Sequence, residues 1–575
     1  MSNWIWKKKV LTDRQIIIQQ DLVKNLLISP LLAKLYVERN LTTQDEINSF
    51  LQPKQSSLHD PFLYKDMDKA VERLNKAITS QENILIYGDY DVDGTTSVAL
   101  VYRYLSKYYN KLFFYVPDRD TEGYGISIQG VDFAFEKKCT LVIALDCGIK
   151  DFEAIDYGNI KSIDFIVCDH HNPGDSLPNA IAVLDAKRED NTYPYNELSG
   201  CGVGFKFMQA FAIKNDFPQE TLLPLLDVLA MSIASDIVPL TGENRLLIQM
   251  GLQRINTEPS IGVAAMLESC ELTIGKITIS DLVYKIGPRI NASGRIDTAD
   301  EAVKLLISSD KTEAKKHCDI IESLNKQRRD LDRQTTEQAL AQLDLDPTTP
   351  TKAANVVYSP NWAKGVVGIV ASRIIEKHYK PTIVLTDSNG LISGSARSVS
   401  DFDLYSAIKA CADDLESFGG HDFAAGLTLK SENLKKFKQD FEHIVAQTIT
   451  QEQKTPLIEY DEEISFADIT RDFFNIIQSL EPYGQDNPQP VFITRGVYNV
   501  AGTRLVGQNQ EHLRLEVSDG TINSRMIGIA FNQKEFYEPL SRGEKVDICY
   551  TLEKNEFRGT ISIQLHIKDI KLSTK

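Results

Sequence analysis

The chain has 575 residues, of which 42% are hydrophobic and 25% are charged, as in an ordinary globular protein. This length is too great for one hydrophobic core and predicts three or four domains. The net charge of −17 argues mildly against a nucleic-acid partner, although a metal site would itself concentrate aspartates. No apolar run is long enough for a membrane span, no secretory leader is expected, and the eight cysteines form no C-x-x-C pair. We therefore expect reduced thiols and a cytoplasmic protein.

Residues 1–55 are predicted to be a helical lead-in. Apolar residues recur at helical spacing in 22–28 and 31–37. The segment 41–47 carries a Thr followed three residues later by an acidic residue, which is typical of a helix start.

Residues 56–297 alternate between strand and helix patterns, which predicts an α/β domain with a mostly parallel sheet. Short β-branched runs bounded by turn residues indicate buried strands. The predicted strands are 83–87, 112–116, 141–145 and 164–168. Helices are predicted over 95–105 and over the apolar run 222–235, which would deliver Asp236 at its end.

The remaining chain divides into three parts. Residues 298–352 are rich in helix formers and charges and predict connecting helices that end in a Pro-containing hinge. A second α/β domain is predicted over 353–452. Residues 457–575 contain five or six short alternating strands separated by polar turns, which suits a small OB-like β-barrel.

Acidic residues and a histidine pair follow the predicted strands of the first α/β domain. These residues are Asp89, Asp91 and Asp93 after the first strand, then Asp146, then Asp169-His170-His171. Ligands of parallel sheets bind outside the carboxyl ends of the strands, so we expect these side chains to meet at one rim. Each motif alone has a structural reading, a solvated turn or a packed histidine pair, but their joint order favours a site.

Such a cluster of carboxylates requires a positive counter-charge, which a pair of divalent metal ions would supply. Carboxylates with imidazole and without thiolate favour two ions of Mn²⁺ or Mg²⁺ over Zn²⁺. Asp146 could bridge both ions, and His171, if it is not a ligand, could hydrogen-bond the substrate phosphate. We read Asp91 and Asp93 as lying on the same side of an extended segment. Paired metals indicate phosphoryl transfer or hydrolysis.

These segments resemble the four motifs of the DHH phosphoesterase superfamily, and the whole chain resembles its bacterial single-strand-specific 5′→3′ exonucleases. The four motifs match Gly88–Gly94, Asp146, Asp169–His171 and Ser235-Asp236. The resemblance implies a set of metal ligands at Asp91, Asp93, Asp146, His170 and Asp236, with Asp89 also at the site. It implies that His171 faces the scissile phosphate.

The resemblance extends to loops that suit phosphate oxygens, because they are rich in glycine, serine and arginine. The segments 117–125 and 287–295 match the first domain, and 365–373, 393–398 and 419–426 look like the associated DHHA1 domain. The implied contacts with substrate or its 5′-phosphate are Arg119, Ser395, Arg397, Arg373, Gly420 and His421, with Arg289 nearer the scissile phosphate. Without the resemblance, these loops read as ordinary tight packing. The weaker match 483–488 lies in the C-terminal part.

The resemblance implies a metal-dependent nuclease that degrades single-stranded DNA from the 5′ end to 5′-mononucleotides. It also implies work in recombination and repair, with a single-strand DNA-binding protein and a RecQ-type helicase as partners. One alternative is a small phosphodiesterase acting on oligoribonucleotides or cyclic dinucleotides, against which the long C-terminal β region argues. Another is a non-catalytic DNA-binding scaffold, against which the intact carboxylates argue.

Overall fold

The computed structural model describes residues 4–521, 525–557 and 559–573. The chain forms two compact units. The first unit contains residues 52–330 with residues 482–487, and the second contains residues 1–51, 331–481 and 488–575. No helix of the described residues is long and apolar enough to cross a membrane. All eight cysteines are free.

The N-terminal segment belongs to the second unit and contains one strand and three helices. These are β1 (Ile5–Lys8), α1 (Asp13–Leu26), α2 (Pro30–Val37) and α3 (Gln44–Leu51). The helix start predicted within 41–47 is confirmed, because Thr43 Oγ1 accepts a hydrogen bond from the Glu46 backbone N at 3.2 Å. The segment predicted as a helical lead-in contains one strand in addition to its three helices. Residues 5–8 are extended because they pair with a strand about 450 residues away, which local patterns do not reveal.

A five-stranded, entirely parallel sheet forms the centre of the first unit. Its strands are β2 (Asn83–Gly88), β3 (Leu112–Tyr115), β4 (Cys139–Leu145), β5 (Asp164–Cys168) and β6 (Ala182–Leu184). They lie in the order β3-β2-β4-β5-β6. The four predicted strands are all present. Their apolar runs are explained by burial on both faces of the sheet, since the two faces contribute to two different hydrophobic cores.

Helices cover both faces of this sheet. The helices that contact its strands are α4 (Met67–Thr79), α5 (Val92–Leu105), α6 (Ile128–Glu136), α7 (Phe152–Ile160) and α8 (Gly200–Lys214). Further helices of the unit are α9 (Leu226–Ser235), α10 (Gly242–Thr257), α11 (Ile261–Ser269), α12 (Ile279–Asp281), α13 (Gly287–Ile296) and α14 (Asp300–Ile307). The helix predicted over 222–235 is divided: a 3₁₀ segment contains Pro224, and α9 begins two residues later. Proline lacks the N–H that a continuous α-helix needs, which accounts for the division. α9 ends at Ser235 and delivers Asp236, as predicted.

A single helix of 35 residues, α15 (Lys311–Leu345), occupies most of the region predicted to connect the two α/β domains. It leads into a sheet of the second unit with the order β10-β11-β9-β8-β7. The strands are β7 (Asn355–Tyr358), β8 (Thr382–Ser388), β9 (Leu391–Arg397), β10 (Ser417–His421) and β11 (Ala424–Leu429), and the helices are α16 (Val367–Lys377), α17 (Leu404–Lys409) and α18 (Leu434–Thr448). Only β7 and β8 pair in parallel.

The C-terminal strands close into a small barrel. The elements are β12 (Leu457–Tyr460), β13 (Glu462–Glu463), α19 (Arg471–Ser479), β14 (Phe492–Asn499), β15 (Arg504–Val506), β16 (His512–Ser518), β17 (Met526–Ala530), α20 (Tyr537–Ser541), β18 (Val546–Phe557) and β19 (Thr560–Leu572). Among the described residues, seven strands form one sheet, more than the five or six predicted, because β13 and β15 are too short to carry an alternating pattern. An additional pairing of β14 with β16 closes the barrel. β12 lies outside this sheet and pairs in parallel with β1.

Residues 482–487 leave the second unit and pack within the first. The Leu240 backbone N donates to the Gln485 carbonyl at 2.8 Å, and Arg245 donates to the Pro482 carbonyl at 3.5 Å. Leu240 and Arg245 are both buried. This segment therefore forms part of the packing around α10.

Candidate metal centre

Asp91 and Asp93 lie at the start of α5, immediately after β2. Asp91 is the N-cap residue, and its Oδ1 accepts a hydrogen bond from the Gly94 backbone N at 3.0 Å. Asp93 lies in the first helical turn, so the expectation that both residues share an extended segment is wrong. The helix begins earlier than predicted because the Asp91 cap satisfies its first free N–H groups. A Cβ on Gly94 would lie 2.3 Å from the Asp89 carbonyl oxygen, so this tight turn requires glycine.

The carboxylate of Asp93 is held by the N-terminus of α8. It accepts hydrogen bonds from the backbone N atoms of Gly200 at 2.6 Å and Cys201 at 2.9 Å. The Ser232 hydroxyl of α9 donates to it at 2.6 Å. The free N–H groups of this helix N-terminus bind both oxygens of Asp93 and so fix its side chain in position.

Asp146 follows β4 in a left-handed backbone conformation, with a φ of 59°. A Cβ on Gly200 would lie 2.6 Å from the Asp146 Cβ, so the start of α8 approaches this residue as closely as glycine allows. Such conformations are uncommon for residues other than glycine and concentrate at functional sites. The backbone thus presents the Asp146 side chain to the cluster at the carboxyl end of the sheet.

His170 lies among three carboxylates. Its Nε2 atom is 3.2 Å from Asp146 Oδ1, 3.6 Å from Asp236 Oδ2 and 3.8 Å from Asp93 Oδ2. Burial lowers the pKa of His170 to about 4, even though the carboxylates oppose this shift. At neutral pH the imidazole is therefore uncharged, which is the form that binds metal ions.

The carboxyl groups of the cluster resist simultaneous ionisation. Burial and the charge of Asp91 raise the pKa of Asp89 well above its ordinary value, and burial and Asp93 do the same for Asp146 and Asp236. Burial and Asp93 also raise the pKa of Asp91. A nearby cation would reverse these shifts, since it stabilises the ionised form.

Four buried atoms of the cluster lack a hydrogen-bond partner: Asp89 Oδ1, Asp146 Oδ1, Asp236 Oδ2 and His170 Nε2. Unpaired buried polar atoms are costly and call for an explanation such as an ion. Groups whose ligand atoms lie within 4.8 Å of one another are Asp93–His170–Asp236, Asp89–Asp91–Asp146 and Asp146–His170–His171. The seven residues of these groups could hold divalent metal ions, and their oxygen and nitrogen donors suit Mn²⁺ or Mg²⁺.

His171 is oriented by residues to which the sequence assigned no role. Its Nδ1–H donates to Asp169 Oδ1 at 2.8 Å, and Asp169 also accepts from the backbone N atoms of Ile149 and His170. Burial would raise the pKa of Asp169, but the contact with His171 outweighs it and lowers the pKa to about 2. The Tyr124 hydroxyl donates to the Asp146 carbonyl at 2.9 Å and lies 3.1 Å from His171 Nδ1.

Asp169, Tyr124, Ser232 and the start of α8 were therefore missed as supporting residues. Asp169 and Tyr124 stand inside matched segments, where a role could have been proposed. Ser232 and Gly200 carry no local signal, because their importance arises from contacts with Asp93 and Asp146, more than 50 residues away.

The two arginines predicted in the first unit have different surroundings. The guanidinium of Arg119 lies over the Tyr90 ring, 5.3 Å from its centroid, and its charge opposes the rise in the pKa of Asp89. Arg289 donates to Glu322 Oε1 at 2.5 Å and to the Lys285 carbonyl at 2.8 Å. Arg119 thus lies beside the acidic cluster, whereas Arg289 is paired with a residue of α15.

Four of the predicted phosphate-binding residues of the second unit lie on β9 and β10, which are separated by β11 in the sheet. In the register of the sheet, Arg397 of β9 lies opposite Ala424 of β11, which lies opposite His421 of β10. In the adjacent row across the same strands, Ala396, Ala425 and Gly420 lie side by side. Arg397 donates to Ser395 Oγ at 2.9 Å, and a Cβ on Gly368 would lie 2.9 Å from its other guanidinium nitrogen. The first turn of α16 therefore lies directly against this pair. Arg373, further along α16, forms an ion pair of 2.7 Å with the buried Asp332.

Comparisons with known proteins agree with this architecture. The model of the DHH family N-terminal domain matches residues 83–233, the DHHA1 domain model matches 351–447 and the RecJ OB domain model matches 460–569. The chain is 35% identical over 560 residues to the single-stranded-DNA-specific exonuclease RecJ of Bacillus subtilis, covering 96% of this chain and 70% of that protein. It is 32% identical over 565 residues to the Escherichia coli protein of the same name, covering 94% and 96%.

Solved structures are similar as well. A crystal structure of RecJ in complex with Mn²⁺ from Thermus thermophilus matches with a TM-score of 0.83 and 25% identity, covering all of this chain and 80% of that one. A crystal structure of exonuclease RecJ bound to manganese matches with a TM-score of 0.59 and 30% identity, covering 69% and 97%. The chain therefore belongs to the RecJ family of single-stranded-DNA-specific exonucleases, within the DHH superfamily.

Proposed function

We propose that this protein hydrolyses single-stranded DNA in the 5′→3′ direction and releases 5′-mononucleotides. The observation that carries the proposal is the set of buried, unpaired ligand atoms of Asp89, Asp146, Asp236 and His170. The names of the similar exonucleases and the Mn²⁺ in the two similar crystal structures support a metal-dependent reaction on single strands.

The proposed ligands of two Mn²⁺ or Mg²⁺ ions are Asp89, Asp91, Asp93, Asp146, His170 and Asp236. Asp146 is the proposed bridge. Asp146 and His170 each belong to two of the three groups, but only the carboxylate has two oxygen atoms that could bind different ions. Bound metal ions would polarise the phosphoryl group and lower the pKa of an attacking water. The first turn of α8 and Ser232 keep Asp93 in place, so the chain fixes the geometry of this side of the site.

His171 is the proposed contact with the scissile phosphate. Its Nδ1–H is bound to Asp169, and its Nε2 lies 3.3 Å from the Tyr124 hydroxyl, a contact that a phosphate oxygen would have to replace. The hydrogen bond and charge of Asp169 overcome the effect of burial and raise the pKa of His171 above its ordinary value. A protonated His171 could donate a hydrogen bond to a phosphate oxygen or to the leaving oxygen.

The proposed 5′-phosphate contacts on the second unit are Ser395 and Arg397, supported by Arg373, Gly420 and His421. The support is that a serine hydroxyl, a guanidinium fork and the start of α16 lie together, and all three suit phosphate oxygens. On the first unit we propose Arg119 as a further phosphate contact and Arg289 as a contact nearer the scissile bond. Arg289 would have to exchange its ion pair with Glu322 for the phosphate.

The proposed cellular role is recombination and repair, with single-strand DNA-binding protein and a RecQ-type helicase as partners. The support is membership of the family, and the substrate itself gives a physical reason. A helicase produces unpaired strands, and a single-strand-binding protein covers them, so both act on the polymer that this family degrades.

The metal assignment is tested with Asp146→Ala, with Asp156→Ala on an exposed position of α7 as the matched control. We expect Asp146→Ala to abolish hydrolysis in Mn²⁺ and to weaken Mn²⁺ binding measured by calorimetry, while binding of single-stranded DNA is largely kept. Binding persists because it relies on basic residues elsewhere. If Asp146→Ala keeps more than a tenth of the control rate, Asp146 is not the bridge.

Polarity is tested with strands labelled at one end and left unblocked at both ends. A 5′-labelled strand should release labelled mononucleotide at once, and a 3′-labelled strand should shorten progressively. Early release of the 3′ label would reverse the proposed direction.

A further inference from the structure

An exposed apolar side chain immediately follows a proposed metal ligand in the chain. Ile237 follows Asp236, has a φ of 58° and is 69% exposed. A β-branched residue rarely adopts this left-handed conformation, which is strained for L-residues. Strain of this kind persists where the surrounding structure imposes it, and it concentrates at functional sites. The chain therefore holds an apolar side chain in solvent next to a proposed metal ligand, against its conformational preference.

A second exposed apolar side chain comes from a π-helical turn. Tyr284 lies in the π turn Leu282–Ile286 and is 77% exposed, although Leu282 and Ile286 are buried. Single π turns are rare in proteins as a whole, and those that occur are often found at functional sites. A Cβ on Gly287 would lie 2.7 Å from the Ser235 hydroxyl, so the end of this turn lies against the end of α9. Both exposed side chains thus project from closely packed backbones.

The two side chains line one groove of about 250 Å³. Its opposite wall is formed by Tyr483, Gly484 and Gln485, from the segment that returns to the first unit. A Cβ on Gly484 would lie 2.6 Å from Leu240 Cδ1, so this wall is packed as closely as glycine allows. Pockets for drug-sized ligands measure roughly 300–1,000 Å³, so the groove suits a smaller planar group.

We propose that this groove binds one unpaired nucleobase of the DNA strand whose phosphodiester lies at the metal cluster. The proposal rests on the proposed function and adds a substrate contact to it. Asp236 and Ile237 are consecutive, with Cα atoms about 3.8 Å apart, so the groove begins within one residue of a proposed metal ligand. Every base has an apolar π-face that stacks on an aromatic ring without sequence preference.

The groove would also contribute to selection of single strands. A base within a duplex is already stacked and paired, and it would have to leave the helix before it could contact Tyr284. An unpaired base meets no such barrier. Recognition of an accessible base face therefore favours single-stranded DNA without any contact specific to its sequence.

The test uses the full chain, Tyr284→Ala and Tyr284→Phe, with Ile160→Ala as a control that removes an exposed apolar side chain from α7. Rates are measured in Mn²⁺ on single-stranded DNA and on strands with one abasic nucleotide at successive positions from the 5′ end. We expect Tyr284→Ala to raise KM about tenfold, a change equivalent to about 1.4 kcal/mol, and Tyr284→Phe and Ile160→Ala to leave it nearly unchanged. At one position the abasic nucleotide should raise KM for the unmodified protein but not for Tyr284→Ala.

The proposal is overturned if Tyr284→Ala has an unchanged KM, or if it responds to the abasic nucleotide as the unmodified protein does. A raised KM without this coupling would also overturn it, since Tyr284 would then contact the sugar-phosphate chain. Failure of the proposed function is distinguishable, because the unmodified protein would then fail to release 5′-mononucleotides from either substrate.

Discussion

At the scale of single residues, Asp169 and His171 form a hydrogen-bonded pair next to the proposed metal ligand His170. Asp169 accepts hydrogen bonds from the backbone around His171 and holds the ring through Nδ1. We predict that His171→Ala slows turnover severely but leaves Mn²⁺ affinity nearly intact. Measurement of kcat together with calorimetric titration of Mn²⁺ separates the two effects. A large loss of bound metal in His171→Ala would reassign this residue as a ligand.

Ser232 provides a second prediction at this scale. Its hydroxyl donates to the buried carboxylate of Asp93, whereas the neighbouring Ser235 hydroxyl is buried without a partner. Loss of a residue that supports a metal ligand typically weakens metal affinity about 10- to 100-fold. We predict such a loss for Ser232→Ala and little change for the matched control Ser235→Ala. Equal Mn²⁺ affinities in the two variants would show that the N-terminus of α8 positions Asp93 without help from Ser232.

At the scale of elements, α2 is joined to the start of the barrel through buried charges. Lys34 is buried and donates to the carbonyls of Lys9, at 3.0 Å, and Asp461. Glu38, one turn further along, has no hydrogen-bond partner for its carboxyl oxygens. Burial, together with the adjacent Asp461, raises the pKa of Glu38 to about 8. This junction therefore favours the protonated form of Glu38.

A pH dependence of stability follows. The pKa of Glu38 rises on folding, so the stability gained from its proton is fully present below the unfolded pKa of about 4.5 and is lost as pH rises through about 8. We predict that Glu38→Gln is more stable than the unmodified protein at pH 8.5 and that the difference shrinks toward pH 5. Urea unfolding at both pH values, with the exposed Glu452→Gln as control, measures this. A constant difference between the two pH values would contradict the assignment.

The sequence predicted local elements better than the contacts that join distant ones. The strands ending before Asp89, Asp146 and Asp169 were predictable because a fully buried parallel strand has a continuous apolar run. The carboxyl ends of these strands meet at one rim, so most of the candidate metal ligands could be predicted from their positions directly after the strands. The pairing of β1 with β12 was not predictable, because neither four-residue strand carries a distinctive pattern.

At the scale of the whole molecule, the chain passes from the second unit into the first at residues 482–487 and then continues in the second unit. The matched metal motifs all lie within residues 88–236, which predicts that truncation before residue 457 leaves an active nuclease with weaker binding. The structure predicts that this truncation also destabilises the first unit, because it removes Pro482–Asn487, which contacts the buried Leu240 and Arg245. It further removes β12 and Asp461, the partners of β1 and Lys34. Loss of activity after truncation would therefore not by itself reveal a role of the barrel in binding DNA.

A point substitution separates these roles. Asn487 is fully buried and donates from Nδ2 to the Pro482 carbonyl at 2.7 Å, which closes the returning segment. Removal of a buried hydrogen-bonding group costs about 1–3 kcal/mol, so we predict that Asn487→Ala lowers the unfolding temperature of the full chain. The control is Gln485→Ala, which changes an exposed residue of the same turn and should leave the unfolding temperature unchanged. Affinity for long single strands, measured without divalent metal, should stay unchanged in Asn487→Ala and fall in the truncated chain, with a weaker dependence on salt. If truncation lowers thermal stability as Asn487→Ala does but leaves this affinity intact, the barrel does not bind the strand.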